Sequence, residues 1–159
     1  MYEYRCKVLK VVDGDTVDVD IELGFGVVLS DERVRIMGID TPESRTKDLV
    51  EKKFGLASKA RLQELLKGRP VLQTQINKDG EDMKGKFGRI LGDFILDEDG
   101  DGTIEAGEGR LATAVMIEEG HCVPYFGGSK EETQEAHKIN RKRLIEEGVV
   151  ELTLEEAGL

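Results

Sequence analysis

The chain has no tryptophan, only two cysteines and three prolines in 159 residues, and 5% aromatic content. Cys6 and Cys122 are too few and too scattered to make a disulfide framework or a zinc site, so both are expected to be reduced and buried as small apolar residues. No apolar run is long enough to span a bilayer, and no apolar stretch follows a basic start. A soluble, cytoplasmic chain with no membrane partner is therefore expected. Cations are also in short supply: 23 Lys and Arg face 33 Asp and Glu, a net charge of −10. A protein that binds a polyanion through its overall charge is basic, so this balance speaks against binding of that kind. The deficit is uneven, however. Asp97, Glu98, Asp99, Asp101, Glu105 and Glu108 crowd one stretch without a Lys or Arg, and Glu146, Glu147, Glu151, Glu155 and Glu156 crowd the C-terminal end. Local charge at a site, rather than the net value, decides how a charged substrate approaches.

What the sequence does contain is concentrated near its start. Asp13-Gly14-Asp15-Thr16 is followed by Arg35 and then by Asp40-Thr41-Pro42-Glu43. Two acids can hold a hard cation through oxygen, a third can draw a proton from water, and an arginine can fork onto phosphate oxygens. This is an inventory suited to metal-assisted phosphodiester hydrolysis. Lys86-Phe87-Gly88-Arg89 supplies a second guanidinium further along. Singly, these residues have plainer readings as a β-turn, a strand stop and an exposed strand cation. Their joint order is what carries weight.

Periodicity gives the coarse architecture. Val17, Val19, Ile21 and Leu23 alternate with Asp18, Asp20 and Glu22, which predicts a strand with one wet face. Asp15 falls in the inward phase, so its carboxylate is expected at a barrel mouth. Tyr4, Cys6 and Val8 alternate likewise, as do Val34 and Ile36 against Arg33 and Arg35. These make a three-strand meander, with Gly24-Phe25-Gly26 and Ser30-Asp31-Glu32 as turns. Leu56, Ala57, Ala60, Leu65 and Leu66 predict a helix over about Phe54 to Lys67. Strands are expected from Pro70 to Ile76 and from Gly88 to Leu96, then a helix from Arg110 to Glu119. The last helix begins near Ser129, which has capping-box spacing to Glu132, and stops at Gly148. The fold class expected is α+β: a five-stranded OB-fold β-barrel with about three helices, in βββαββαα order. One domain spans residues 1–148, and an acidic tail, residues 149–159, is expected to fray.

With these motifs in this order, the chain resembles the staphylococcal nuclease-like (thermonuclease) family over roughly Tyr4 to Gly148. The resemblance implies a calcium-dependent endonuclease acting on DNA and RNA, with single strands preferred and 3′-phosphate ends left. It implies Asp15 and Asp40 as Ca²⁺ ligands together with the Thr41 carbonyl, Glu43 as general base, and Arg35 and Arg89 as phosphate clamps. Lys86, Phe87 and Tyr125 would bind substrate. Phe87 stands where many relatives have tyrosine, which removes a phenol hydrogen bond but leaves a face for base stacking. A monomer is expected. Relatives that have lost their acids or arginines bind without cutting; here all are present.

The segment Asp97 to Glu108 also fits a twelve-residue EF-hand loop, with Asp97, Asp99, Asp101, Thr103, Glu105 and Glu108 at the ligand positions and Gly102 at the sharp turn. A second, structural Ca²⁺ is expected there. A strand enters this loop where an EF-hand would have a helix. His121 and His137 have no partners at metal-ligand spacing and are expected to pack or to face solvent. Lys138, Arg141, Lys142 and Arg143 suit the C-terminal half of a helix dipole, with a nucleic-acid footprint as the second reading.

Overall fold

The alternation of Val17, Val19 and Ile21 is realised as the inner face of a barrel, all three being at most 2% exposed. The computed structural model describes residues 2–75, 84, 88–100, 104 and 109–159. Strands β1 (Glu3–Asp13), β2 (Thr16–Gly24) and β3 (Val27–Ile36) form the expected meander. After β4 (Ile39–Asp40) and helix α1 (Leu49–Leu65) come β5 (Val71–Thr74) and β6 (Ile90–Ile95). The closed barrel runs β1-β2-β3-β6-β5, with β3 and β6 parallel and the other pairs antiparallel. Closure leaves no unpaired sheet edge among these five strands. Helix α2 (Ala112–Glu118), strand β7 (Val123–Pro124) and helix α3 (Lys130–Glu146) complete the chain. This is the α+β OB-fold arrangement, with three helices among the described residues. No helix among them is long and apolar enough to cross a membrane.

Several local expectations change. Leu23 is 40% exposed, because the β2–β3 hairpin projects past the barrel and its inward phase has nothing to cover it. Ser30-Asp31-Glu32 is not a turn but part of β3. Val19 pairs with Glu32 and Ile21 with Leu29, so β3 carries an extra residue at a bulge. Asp31 takes φ +53°, and its amide donates to Asp20 Oδ1 at 2.8 Å. The first helix starts at Leu49, five residues earlier than expected, since Asp48 accepts from the Val50 and Glu51 amides. Its buried stripe is Phe54, Gly55, Ser58 and Leu62, whereas Leu56 is 45% exposed. The two later strands are shorter than expected at both ends, and Ile76 lies outside the described residues. Ser129 caps α3 as expected, accepting from the Glu132 amide at 3.1 Å. The segment after Gly148 does not begin by fraying: Val150 is buried against Phe54 and Leu144 in a second apolar cluster outside the barrel. Cys6 and Cys122 are both free and buried.

Candidate nuclease-type site

The tight β1–β2 turn sets the first acid. Gly14 lies so close to α1 that a Cβ there would meet Ser58 Oγ at 2.3 Å and the Thr41 methyl at 3.3 Å. Glycine therefore lets the turn sit against both the helix and the segment after β4. Asp15, next in sequence, gives its backbone carbonyl to the Ile36 amide at 2.8 Å. Its carboxylate accepts from Thr16 Oγ1 at 2.8 Å and stands 3.3 Å from Arg35 Nη2. Arg35 in turn donates to the carbonyls of Ile36 and Ile39, the latter at 3.2 Å, and so braces the turn at Gly38 that leads into Asp40. One guanidinium thus ties the Asp15 strand to the Asp40 segment.

The two-residue strand β4 pairs with β7, Asp40 opposite Val123, and the Tyr125 amide donates to Gly38 O at 2.9 Å. This small sheet brings Asp40 and Tyr125 to one cavity of about 580 Å³, which Thr41, Glu43 and, from α3, His137 and Lys138 also line. Glu43 is exposed, yet its backbone is fixed: a Cβ on Gly55 would lie 2.3 Å from Glu43 O. Helix α1 is the wall behind the whole arrangement. Gly55 meets the Glu43 segment, Ser58 meets the Asp15 turn and donates to His121 O at 3.1 Å, and Leu62 enters the core.

The charges converge as the packing does. Burial pushes the Cys122 thiol up to about 12, and the nearby carboxylates of Asp93, Asp15 and Asp40 push it the same way. Asp93 is itself raised by burial, against the opposing hydrogen bonds from Thr113 and the Phe94 amide. His121 is lowered, mainly by burial, and serves in packing.

The donors expected for a cation, the Asp15 and Asp40 carboxylates and the Thr41 carbonyl, are all oxygens, which suits a hard ion such as Ca²⁺. Among the described residues no three Asp, Glu, His or Cys side chains are grouped to hold a metal ion by themselves. A cation here would therefore need the Thr41 carbonyl and water to complete its shell.

The remaining predicted residues separate. Arg89 does not line the Glu43 cavity; it lines a second cleft of about 350 Å³ with Asp13, Thr16, Arg33 and Arg45. Thr16 links the two regions, since it bonds the Asp15 carboxylate. Lys86 and Phe87 lie outside the described residues, as do Asp101, Thr103, Glu105 and Glu108 of the acidic loop. Asp97 is 4% exposed and its Oδ2 accepts from the Arg69 amide at 2.9 Å. Glu98 pairs with Arg110 at 2.6 Å, and Asp99 faces solvent.

Sequence reasoning missed one partner at the site. His137 is buried, and its Nε2 lies 2.7 Å from Asp40 Oδ2. The expectation that it merely packs or faces solvent is corrected by that contact. Ninety-seven positions separate the two residues, and no local spacing could join them. Asp93, which accepts from Thr113 at the start of α2, was equally invisible.

A family model described as "Staphylococcal nuclease homologue" matches residues 33–143. Arg35, Asp40, Thr41, Glu43, Arg89 and Tyr125 fall inside the matched stretch, and Asp15 precedes it. No curated protein matches the chain.

Proposed function

The chain belongs to the staphylococcal nuclease homologue family, and on that premise we propose that it hydrolyses phosphodiester bonds of single-stranded DNA or RNA in a calcium-dependent reaction. The observation that carries this reading is the shared cavity of Asp40, Thr41 and exposed Glu43, with Asp15 tied through Arg35 to the Ile39 carbonyl just before Asp40.

Glu43 is the general base, since its carboxylate reaches the cavity without a salt-bridge partner among the described residues. It takes a proton from water as the oxygen attacks phosphorus; the bond to the 5′ oxygen breaks, that oxygen takes up a proton from solvent to become a hydroxyl, and the 3′-phosphate remains. Arg35 and Arg89 stabilise the charge gathering on the phosphate oxygens. Asp15, Asp40 and the Thr41 carbonyl would hold Ca²⁺, which when bound supplies Lewis-acid charge at the phosphate. His137 holds one oxygen of Asp40 in place. Tyr125 offers a ring face at the cavity rim for a base. The acidic loop beginning at Asp97 would take a second Ca²⁺ in a structural role.

Heat-denatured DNA incubated with Ca²⁺ or with chelator is the deciding assay. Cleavage that needs calcium and disappears in Glu43→Ala supports the reading. Absence of cleavage at neutral to alkaline pH favours a binding domain that has kept the barrel without the chemistry.

A further inference from the structure

The cleft lined by Arg33, Arg45 and Arg89 is out of character for a chain of net charge −10. Three guanidinium groups and one carboxylate, Asp13, border about 350 Å³. The fold itself forces part of this crowding. Val34 pairs with Ile90 in the parallel register of β3 and β6, so Arg33, inside β3, and Arg89, just before β6, each immediately precede that pair. Like charges placed side by side on a sheet are destabilising unless something anionic sits between or beside them. Asp18 answers part of the charge by binding Arg33 through two hydrogen bonds, at 2.8 and 3.1 Å. Arg45 is exposed and has no salt-bridge partner among the described residues.

The cleft also has the right neighbour. Thr16 lines it and donates to the Asp15 carboxylate, and Arg45 follows Glu43 by two residues. A chain bound across the Asp15–Glu43 region would therefore meet these arginines as it leaves. Guanidinium forks match phosphate oxygens and carry no base preference.

We propose that Arg33 and Arg45, beside the phosphate clamp Arg89, form a second backbone subsite, which grips a phosphodiester of single-stranded nucleic acid next to the one that is cut. The identity of the ligand as nucleic acid rests on the nuclease reading, while binding itself does not require cleavage. Such a subsite lets an acidic protein hold a polyanion, because the cations are gathered where the strand runs. It also favours attack within a strand over release of terminal nucleotides.

Fluorescence anisotropy in chelator, with a labelled single-stranded oligonucleotide of about twelve residues, measures binding alone. Arg45→Ala is expected to weaken affinity roughly threefold to tenfold and to lower the slope of log K against log salt by about 0.7. Arg33→Gln should act in the same direction. Lys142→Ala removes a cation from the exposed face of α3 and serves as the charge-matched control; it should change neither quantity appreciably. Equal effects of Arg45→Ala and Lys142→Ala would overturn the subsite, as would unchanged slope and affinity in both arginine variants or no binding by the wild type. Arg45-dependent binding by a protein that cuts nothing in calcium would support the subsite and sink the nuclease reading.

Discussion

Asp40 and Asp97 each belong to an acidic segment that the sequence marks for calcium, and they are spent differently. The side chain of Asp40 is 44% exposed in a cavity shared with Glu43 and Thr41, steadied from one side by His137. Asp97 is 4% exposed, and its carboxylate accepts from the Arg69 amide beneath the turn at Gly68. That glycine has φ +90°, and a Cβ on it would meet Asp97 Oδ2 at 2.7 Å. The neighbouring Glu98 is committed to Arg110. The segment with the more regular calcium motif thus uses Asp97 to tie the end of β6 to the turn after α1, and Glu98 to hold Arg110. The segment with the plainer motif keeps its acids at a cavity. A count of carboxylates measures attraction for a cation; a Ca²⁺ in the loop would have to share Asp97 with the Arg69 amide, as one at the cavity would share Asp40 with His137.

The contrast is broken most forcefully at Glu43. Glu43→Gln is expected to lower kcat on denatured DNA by about 10² to 10⁴, the usual loss for a general base, while the urea midpoint stays put because the side chain is exposed. A rate within tenfold of wild type would remove Glu43 from that role. The Asp99→Ala, Asp101→Ala double variant should cut at close to the wild-type rate but bind one Ca²⁺ fewer by calorimetry. Equal stoichiometry would remove the second calcium from the account.

Gly55→Ala tests how the first segment is held. The added methyl has nowhere to go at 2.3 Å from Glu43 O, so a loss of roughly 2 kcal/mol in urea unfolding is expected. Cleavage should fall further than stability alone explains. A variant as stable as wild type would mean that α1 is not the wall behind Glu43. Next in size is the Asp97→Asn and Asp40→Asn pair. Loss of the charged acceptor beneath Arg69 should cost about 1–2 kcal/mol, whereas Asp40→Asn, half-exposed, should stay within about 0.5 kcal/mol without metal. Reversal of that order would mean that the two segments have been assigned the wrong way round.

These assignments show where sequence is legible. The inward phase of Val17, Val19, Val34 and Ile36 could be seen because barrel strands write a period of two. Asp15, Arg35, Asp40 and Glu43 could be nominated because their chemistry is specific in combination, and the structure pairs Asp15 with Arg35 and sets Asp40 and Glu43 at one cavity. The wall behind them could not. Gly55 and Ser58 face the site because backbone must approach backbone there, so the site-facing part of the buried stripe of α1 is built from small residues, which apolar periodicity does not register; of the residues that it picked, Leu66 is buried and Leu56 faces solvent. β4 and β7 have two residues each, too few for any period, yet their pairing brings Asp40 and Tyr125 to one cavity. The bulge at Ser30-Asp31 has turn composition and an αL residue, so only the register of β2 against β3 shows that the strand continues.

Asp18 gives the smallest effect, and it links the acidic segments to the basic cleft. Its hydrogen bond to Arg33 holds its carboxyl below the ordinary 3.8, with burial opposing. A carboxyl lowered in this way favours the fold when ionised. Its contribution is therefore present above pH 3.8 and is lost as pH falls through that value toward the depressed one. Because Arg33 is half-exposed, Asp18→Asn should cost less than about 1 kcal/mol at neutral pH, with the gap from wild type closing in acid. The same substitution releases the Arg33 fork toward the cleft. Oligonucleotide affinity in chelator should then rise while stability falls, whereas Glu22→Gln, which removes a charge from the same hairpin, should raise affinity less. Opposite movement of stability and binding in one variant is the signature of a cation shared between the fold and its ligand. If Asp18→Asn weakens both together, Arg33 serves the hairpin alone.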